Sequence, residues 1–473
     1  MQESKFIQNL KPRVVTVCDA LNTWLDVTCL AAIRTGNSSQ LSRCLRIYAT
    51  IDRVSGAEKL VREEIVQVEV ERCLEECDSV DSDGLGLVCE KLLRIIPEHL
   101  TPLIRLTTDD NKIVEGSVTG FDFLSNSYWP EVATNFVEQL NHVASPGNPE
   151  EFFKNYNISM RFLDSFESNI VSNDSFERVR NSESYTSFIN MWNLAVYYEI
   201  RFQEIAKPVE SILTETKIDP GESGDCKLKA TELVKTSISN CFKPGVFLPS
   251  ISSRFLQLSL QIVSRYKVWT ELCLKTFQDG PVQEMKRSDT AKNLQSLDTS
   301  AAGNKKLSKS ASERDLSSSS VSSSSPAVLT VNMSDIINIY SDIVHLSSVL
   351  SSLITLPSSS VDISPAVAEA ATQLSSVLPL LSSAISSDIS SGPVKTVKSV
   401  ADIPRMYRRT NRETPSKPCS YIVTILENMT LFHGQYQSSV SSESLVTWVG
   451  EASTLVCGQY LLQVQDVLIN VTR

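Results

Sequence analysis

The chain has 473 residues, 41% of them hydrophobic, and sets 44 Lys and Arg against 55 Asp and Glu for a formal net charge of −11. That apolar content suffices for packed cores and excludes a chain disordered throughout, while the negative charge disfavours generic binding to nucleic acid or anionic lipid, where counterion release requires clustered Lys and Arg. The 11 cysteines are scattered singly, no secretory leader follows Met1, and no uncharged apolar run marks a bilayer-crossing helix, so the thiols read as reduced and cytosolic and any membrane association as peripheral.

From Phe6 to about Leu103 the apolar spacing is helical. "VVTVCDALNTWLDVTCLAAI" is followed by a polar break, "RTGNSSQ", and then by a long segment from Leu41. There Leu41, Leu45, Tyr48, Ile51, Asp52, Leu60, Ile65 and Val68 predict one helix with a single packed face, loosened at Gly56. A second break, "CDSVDSDGLG", precedes "LVCEKLLRIIPEHLTPLIRL". Residues near Thr107 to Asn126, with Gly116 and Gly120, predict turns or short extended pieces. Helix resumes at "WPEVATNFVEQLNHV", with Pro130 in its first turn. In "SPGNPEEFF" the Asn148-Pro149 step, followed by Glu150 and Glu151, predicts a helix start whose positive end meets the two acids.

Ile189 to Glu210, "INMWNLAVYYEIRFQEIAKPVE", predicts a helix with two apolar sides. Met191, Leu194, Ala195, Tyr198, Phe202 and Ile205 form one, and Ile189, Trp192, Val196 and Ile200 the other, leaving Asn190, Asn193, Arg201 and Glu204 as the polar sector. Such a helix belongs inside a bundle; a single amphipathic helix with a broad apolar face is the plainer alternative. Pro208 is expected to end or kink it. Helical spacing continues through "RFLQLSLQIVSRYKVWTELCLKTF".

Gln278 to Pro326 is rich in serine and poor in large apolar residues. Ordering it would cost about 1–2 kcal/mol per residue with little buried area to offset this, so it reads as a disordered tether that is chemically open to phosphorylation. Beyond it helical spacing returns among many serines, predicting a less stable half. The expected organisation is an amino-terminal helical segment at 1–105, a central helical bundle at 106–277, the linker at 278–326 and a carboxy-terminal bundle at 327–473. With no regular repeat consensus, the fold class is all-α, an extended rod of irregular helical bundles.

Chemistry-bearing motifs are scarce. His99, His142, His345 and His433 have neither the Glu-containing four-residue spacing of a zinc protease nor a neighbouring cysteine pair. Cys73 and Cys77 stand one helical turn apart without a second ligand pair. "SVDSDGLGLVCE", Ser79 to Glu90, places Asp81, Asp83, Gly84 and Glu90 at calcium-loop positions, but Ser79 replaces the first charged ligand and Gly86 the apolar eighth residue, so an acidic interhelical turn is the plainer reading. No phosphate loop, nucleophile elbow or dinucleotide fingerprint occurs, and no catalytic, cofactor or metal residue is assigned. Arg405, Arg408, Arg409 and Arg412 form the one dense basic cluster, suited to a lipid headgroup or acidic partner, or to an ordinary exposed helix start.

"LSRCLRIYATIDRVSGAEKLVREEIV", "GFDFLSNSYWPEV", "PGNPEEFFKNYNISMRFL", "WNLAVYYEIRFQEIAKPVE", "RFLQLSLQIVSRYKVW" and "IPRMYRRTNRETP" resemble, in this order, segments of the subunit 2 family of the conserved oligomeric Golgi complex. The resemblance runs from Leu41 to Pro415 and skips the serine tract. It implies a non-enzymatic tethering-complex subunit of helical-rod type, peripheral on the cytoplasmic face of Golgi membranes and in the cytosol, supporting retrograde intra-Golgi transport and retention of the glycosylation machinery. The implied partners are the other Golgi-complex subunits and, through the complex, Rab GTPases, SNAREs and coiled-coil tethers. The family's amino-terminal coiled-coil region is not represented before Leu41 at its usual length, and further helix is expected after Arg473, so a partial copy is expected. The alternative function is a helical adaptor or small-GTPase effector in another trafficking pathway.

Overall fold

A computed structural model describes residues 5–75, 82–107, 118–222, 224–279, 329–355, 362–407, 413 and 416–472. The serine-rich tether expected at 278–326 lies outside them from residue 280 onward, Gln278 and Asp279 ending a helix. Every regular element among the described residues is helical, and extended backbone pairs only at an isolated antiparallel bridge between Pro220 and Leu228. The fold is all-α. The chain divides into two compact units, Met1–Arg201 and Phe202–Arg473.

In the first unit α1 (Lys5–Arg34) stops at Gly36, whose φ of +67° is one that glycine adopts without penalty. The Asn37 N–H then donates to Ala32 O at 2.9 Å, and the Asn37 side chain accepts from the Gln40 N–H at 3.1 Å to open α2 (Ser38–Thr50). The polar break is thus a helix stop and a helix start back to back.

The single helix expected from Leu41 onward is interrupted. Asp52 adopts φ +55°, a left-handed conformation that aspartate tolerates better than most side chains, and α3 (Val54–Val61) begins beyond it. The turn resets the helical phase. Leu41, Leu45, Tyr48 and Ile65 are buried as expected, but Ile51 and Val68 are exposed, and Ala57, Val61 and Val66 join the core.

A π-helical turn, Arg62–Val66, leads into α4 (Gln67–Glu75). α5 (Ser82–Ile95) passes through a second π turn, Ile96–Leu100, into α6 (Thr101–Thr107), and a third, Leu124–Tyr128, feeds α7 (Trp129–Gln139). The Asn148 side chain accepts from the Glu150 and Glu151 N–H groups at 3.2 and 3.4 Å, starting α8 (Pro149–Glu167) as its sequence predicts. α9 (Asn173–Arg180) and α10 (Glu183–Asn190) close an aromatic core in which Trp129 stacks on Phe166 at 4.8 Å and meets Phe188 edge-on at 5.4 Å.

The segment Ile189 to Glu210 is not one helix. The chain breaks at residues 191–193, and α11 (Leu194–Leu213) follows. It buries a single face, through Tyr197, Tyr198, Arg201, Ile205, Val209 and Leu213, while Val196 is exposed. The two-sided helix expected from the sequence is therefore corrected to a one-sided one, because Trp192 sits in the break and is placed by the turn rather than by helical phase. Pro208 does not end α11, which runs on to Leu213.

The second unit comprises α12 (Lys229–Cys241), α13 (Ser252–Asp279), α14 (Met333–Leu353), α15 (Ser364–Ser375), α16 (Leu378–Val397), α17 (Ile403–Tyr407), α18 (Ser420–Tyr436) and α19 (Ser442–Thr472). Asn332 and Asp335 form a reciprocal capping box at the start of α14, which packs on α12 and α13. α16 packs along α19, and Val397, Val400, Ile425, Met429, Ala452 and Val456 form a core there. Gly221 fits a tight turn ahead of α12 because a Cβ there would lie 2.6 Å from the Cys226 carbonyl oxygen.

Candidate interaction surfaces

Of the four arginines expected to form an interaction patch, Arg405 lies exposed on α17 and Arg408, Arg409 and Arg412 fall outside the described residues. Sequence reasoning missed three buried ionisable side chains, Glu58, Arg201 and Asp342. Each is engaged by the fold. Glu58 accepts the Asp122 N–H at 2.7 Å with one carboxylate oxygen and Asn126 Nδ2 at 2.9 Å with the other, and its backbone oxygen accepts Ser127 Oγ at 2.7 Å. Burial raises its pKa above the ordinary carboxylate value against the opposing effect of these donors. Asp122 also meets Arg178 Nη1 at 2.7 Å, so the acids fasten α3 to the third π turn and α9.

Arg201 lies 4% exposed, its guanidinium 5.5 Å from the Tyr197 ring centroid and 3.3 Å from a Glu150 oxygen. In the second unit Asp342 accepts the N–H groups of Lys227 and Leu228, and burial raises its pKa too. These carboxylates hold backbone.

Cys18 and Cys457 are exposed, whereas most of the described thiols are buried. Burial pushes Cys29, Cys89 and Cys241 up to about 12, so they remain protonated near neutrality and are poor nucleophiles. Among the described residues no three His, Cys, Asp or Glu side chains converge as metal ligands. His99 Nε2 lies 3.7 Å from Glu69, and His345 Nε2 lies 3.4 Å from Lys235 Nζ. In the calcium-loop-like stretch, Ser82 onward is already helix α5, a backbone that does not wrap an ion as the loop does; Ser79 and Asp81 lie outside the described residues. Cys73 is buried on α4, and Cys77 lies outside the described residues.

The concave surface between α3 and α7, a cleft of about 660 Å³, is polar, and its Arg62 and Glu131 pair at 2.8 Å. Apolar exposure lies elsewhere. Val14, Val17, Leu21 and Trp24 on α1 are each more than half exposed, at alternating three- and four-residue steps that put them on one stripe. The sequence expectation of no helix able to cross a bilayer needs correction: Pro12–Arg34 and Met333–Leu353 are long and apolar enough by length and composition. Isolated charges such as Asp19 and Asp26 interrupt the uncharged run without making the segment polar as a whole. Met333–Leu353 carries Asp342 and six buried apolar side chains into the second unit's core.

The family described as COG complex component, COG2, C-terminal matches residues 190–473, more than half of the chain. The chain belongs to the subunit 2 family of the conserved oligomeric Golgi complex. Similar proteins named conserved oligomeric Golgi complex subunit 2 include one from Homo sapiens, 29% identical over 99% of this chain and 63% of the relative. One from Drosophila melanogaster is 28% identical over 94% of this chain and 58% of the relative, and one from Arabidopsis thaliana 26% identical over 91% and 54%. The chain thus spans under two thirds of the length of these subunit 2 relatives. No solved structure matches it. The family read from six ordered stretches therefore holds over nearly the whole chain.

Proposed function

We propose that the chain is a non-enzymatic helical scaffold in a Golgi vesicle-tethering complex, supporting retrograde intra-Golgi transport and retention of the glycosylation machinery. The family match over residues 190–473 carries this reading. The physical features agree with it. A scaffold needs rigid helices with outward faces, and the exposed stripe of α1 is such a face, whereas Glu58, Arg201 and Asp342 are committed to internal contacts. Its partners are the other subunits of the complex and, through them, Rab GTPases, SNAREs and coiled-coil tethers. It acts peripherally at the cytoplasmic face of Golgi membranes, with a cytosolic pool. Arg405 and the arginines at 408, 409 and 412 are the candidate patch for an acidic partner.

The test is replacement in cells depleted of their own subunit 2. Restored Golgi residence of a glycosyltransferase and restored cell-surface glycans are expected. A folded, normally abundant chain that restores neither contradicts the proposal.

A further inference from the structure

From Arg34 to Arg53 the chain holds four arginines and a single acid, Asp52, within a unit that is otherwise acidic: residues 1–201 carry 30 Asp and Glu against 19 Lys and Arg. Two of the four, Arg43 and Arg46, stand on α2, which buries Leu41, Cys44, Leu45 and Tyr48 and packs on α1, α3 and α6. Arg43 lies two residues from Leu41 and from Leu45, and Arg46 two residues from Cys44 and from Tyr48. At about 100° per residue, each arginine stands about 160–200° round the helix from the buried side chains that flank it. Both are exposed, and neither makes an ion pair or side-chain hydrogen bond among the described residues.

The carboxylates of the neighbouring helices are committed elsewhere. Asp26 of α1 accepts the hydroxyl of buried Tyr48, and Glu58 of α3 is held by the Asp122 N–H and Asn126. Asp19 lies two turns beyond Asp26, away from the turn that joins α1 to α2. Beside the arginines, Ile47 and Ile51 are 42% and 44% exposed and one helical turn apart. The outer face of α2 thus has a basic edge and an apolar edge along about 20 Å of helix, and neither edge contributes to the packing of the unit.

Charge and breadth select the occupant. A second copy laid face to face on α2 sets arginine against arginine, and an anionic bilayer, wider than one helix, meets the acidic remainder of the unit as well as the arginines. A single helix covers α2 and leaves that remainder beyond the screening distance of about 8 Å at physiological salt. We infer that the outer face of α2 docks an amphipathic helix of a protein partner, whose carboxylates pair with Arg43 and Arg46 and whose apolar side chains cover Ile47 and Ile51. The inference does not depend on which complex the chain joins.

The test uses the full chain and a labelled synthetic helix with an isoleucine seam and two Glu one turn apart beside it, against the same peptide with Gln at those two positions. The net charge of the chain opposes an acidic peptide, so its binding reports the local arginines. The Glu peptide binds, and the Gln peptide binds about tenfold less tightly or not at all. Arg43→Glu with Arg46→Glu abolishes binding of the Glu peptide, and Ile47→Gln weakens it about tenfold. Melting temperatures of these variants stay close to that of the native chain, because the substituted side chains lie outside the packed core. Equal binding of the two peptides, binding of neither to the folded chain, undiminished binding by the charge-reversed or Ile47→Gln variants, self-association lost on charge reversal, or recruitment to phosphatidylserine–phosphatidylcholine vesicles through the two arginines would each overturn it.

Discussion

The Asp342 carboxylate accepts the backbone N–H of Leu228 at 2.9 Å and that of Lys227 at 2.7 Å, across more than a hundred residues of chain. Lys227 and Leu228 precede α12 and Asp342 sits on α14, so this clasp joins structure on both sides of the 280–328 segment. Asp342→Ala leaves two inward-facing donors unsatisfied and is expected to cost about 3 kcal/mol in urea unfolding of the second unit, with Asp342→Asn costing less because it keeps one acceptor. An unchanged unfolding midpoint for the alanine variant would remove the clasp from the account.

The turn that offers those donors depends on Gly221. A Cβ at that position would approach the Cys226 carbonyl oxygen to 2.6 Å, so Gly221→Ala forces backbone to move and is expected to destabilise by about 2 kcal/mol, read as a lowered melting temperature. Gly36→Ala is a control for a different cause. Its surroundings are open, and its cost of about 1 kcal/mol comes from φ alone.

Glu58 makes stability pH-dependent in a direction opposite to that of a salt-bridged acid. Its folded-state pKa is raised by burial, so between the unfolded glutamate value of about 4.3 and the raised value the folded state holds more proton than the unfolded one. This contribution is fully present below the unfolded value and is lost as pH rises through the folded one. Subtracting the stability curve of Glu58→Gln from that of the native chain isolates it. A difference that grows with rising pH across this window would contradict the assignment.

Trp192 packs edge-on against Phe152 and Tyr156 at 5.5 Å from each, and its indole Nε1 has no hydrogen-bond partner among the described residues. Trp192→Ala is expected to cost about 3–5 kcal/mol, whereas Trp192→Phe, which keeps an aromatic ring and removes an unpaired donor, is expected to cost less than half as much. Thermal melts of the two variants decide this. A neutral alanine variant would place the ring outside the core.

The features legible in the sequence were those with local causes. Asn148, Pro149, Glu150 and Glu151 announce a helix start, and the polar run around Gly36 and Asn37 announces a break, because capping chemistry acts within one turn. Asp52 was not legible, since aspartate adopts a left-handed φ only at isolated positions and no glycine or proline marks this one, and the interruption shifts the helical phase beyond it so that Val68 is exposed. Arg201 and Asp342 were hidden for a related reason: their partners Glu150 and Lys227 are distant in sequence, and periodicity assigns a charged residue to solvent when no partner is in view.

The claim on which the account rests is that this chain holds other proteins together within a Golgi complex. Its most direct measurement is affinity purification of the tagged chain from cells depleted of their own subunit 2, followed by quantitative mass spectrometry of a single size-exclusion peak. Sibling subunits of the complex in near-equal molar amounts with the chain are the predicted result. A folded chain that elutes without them would contradict it.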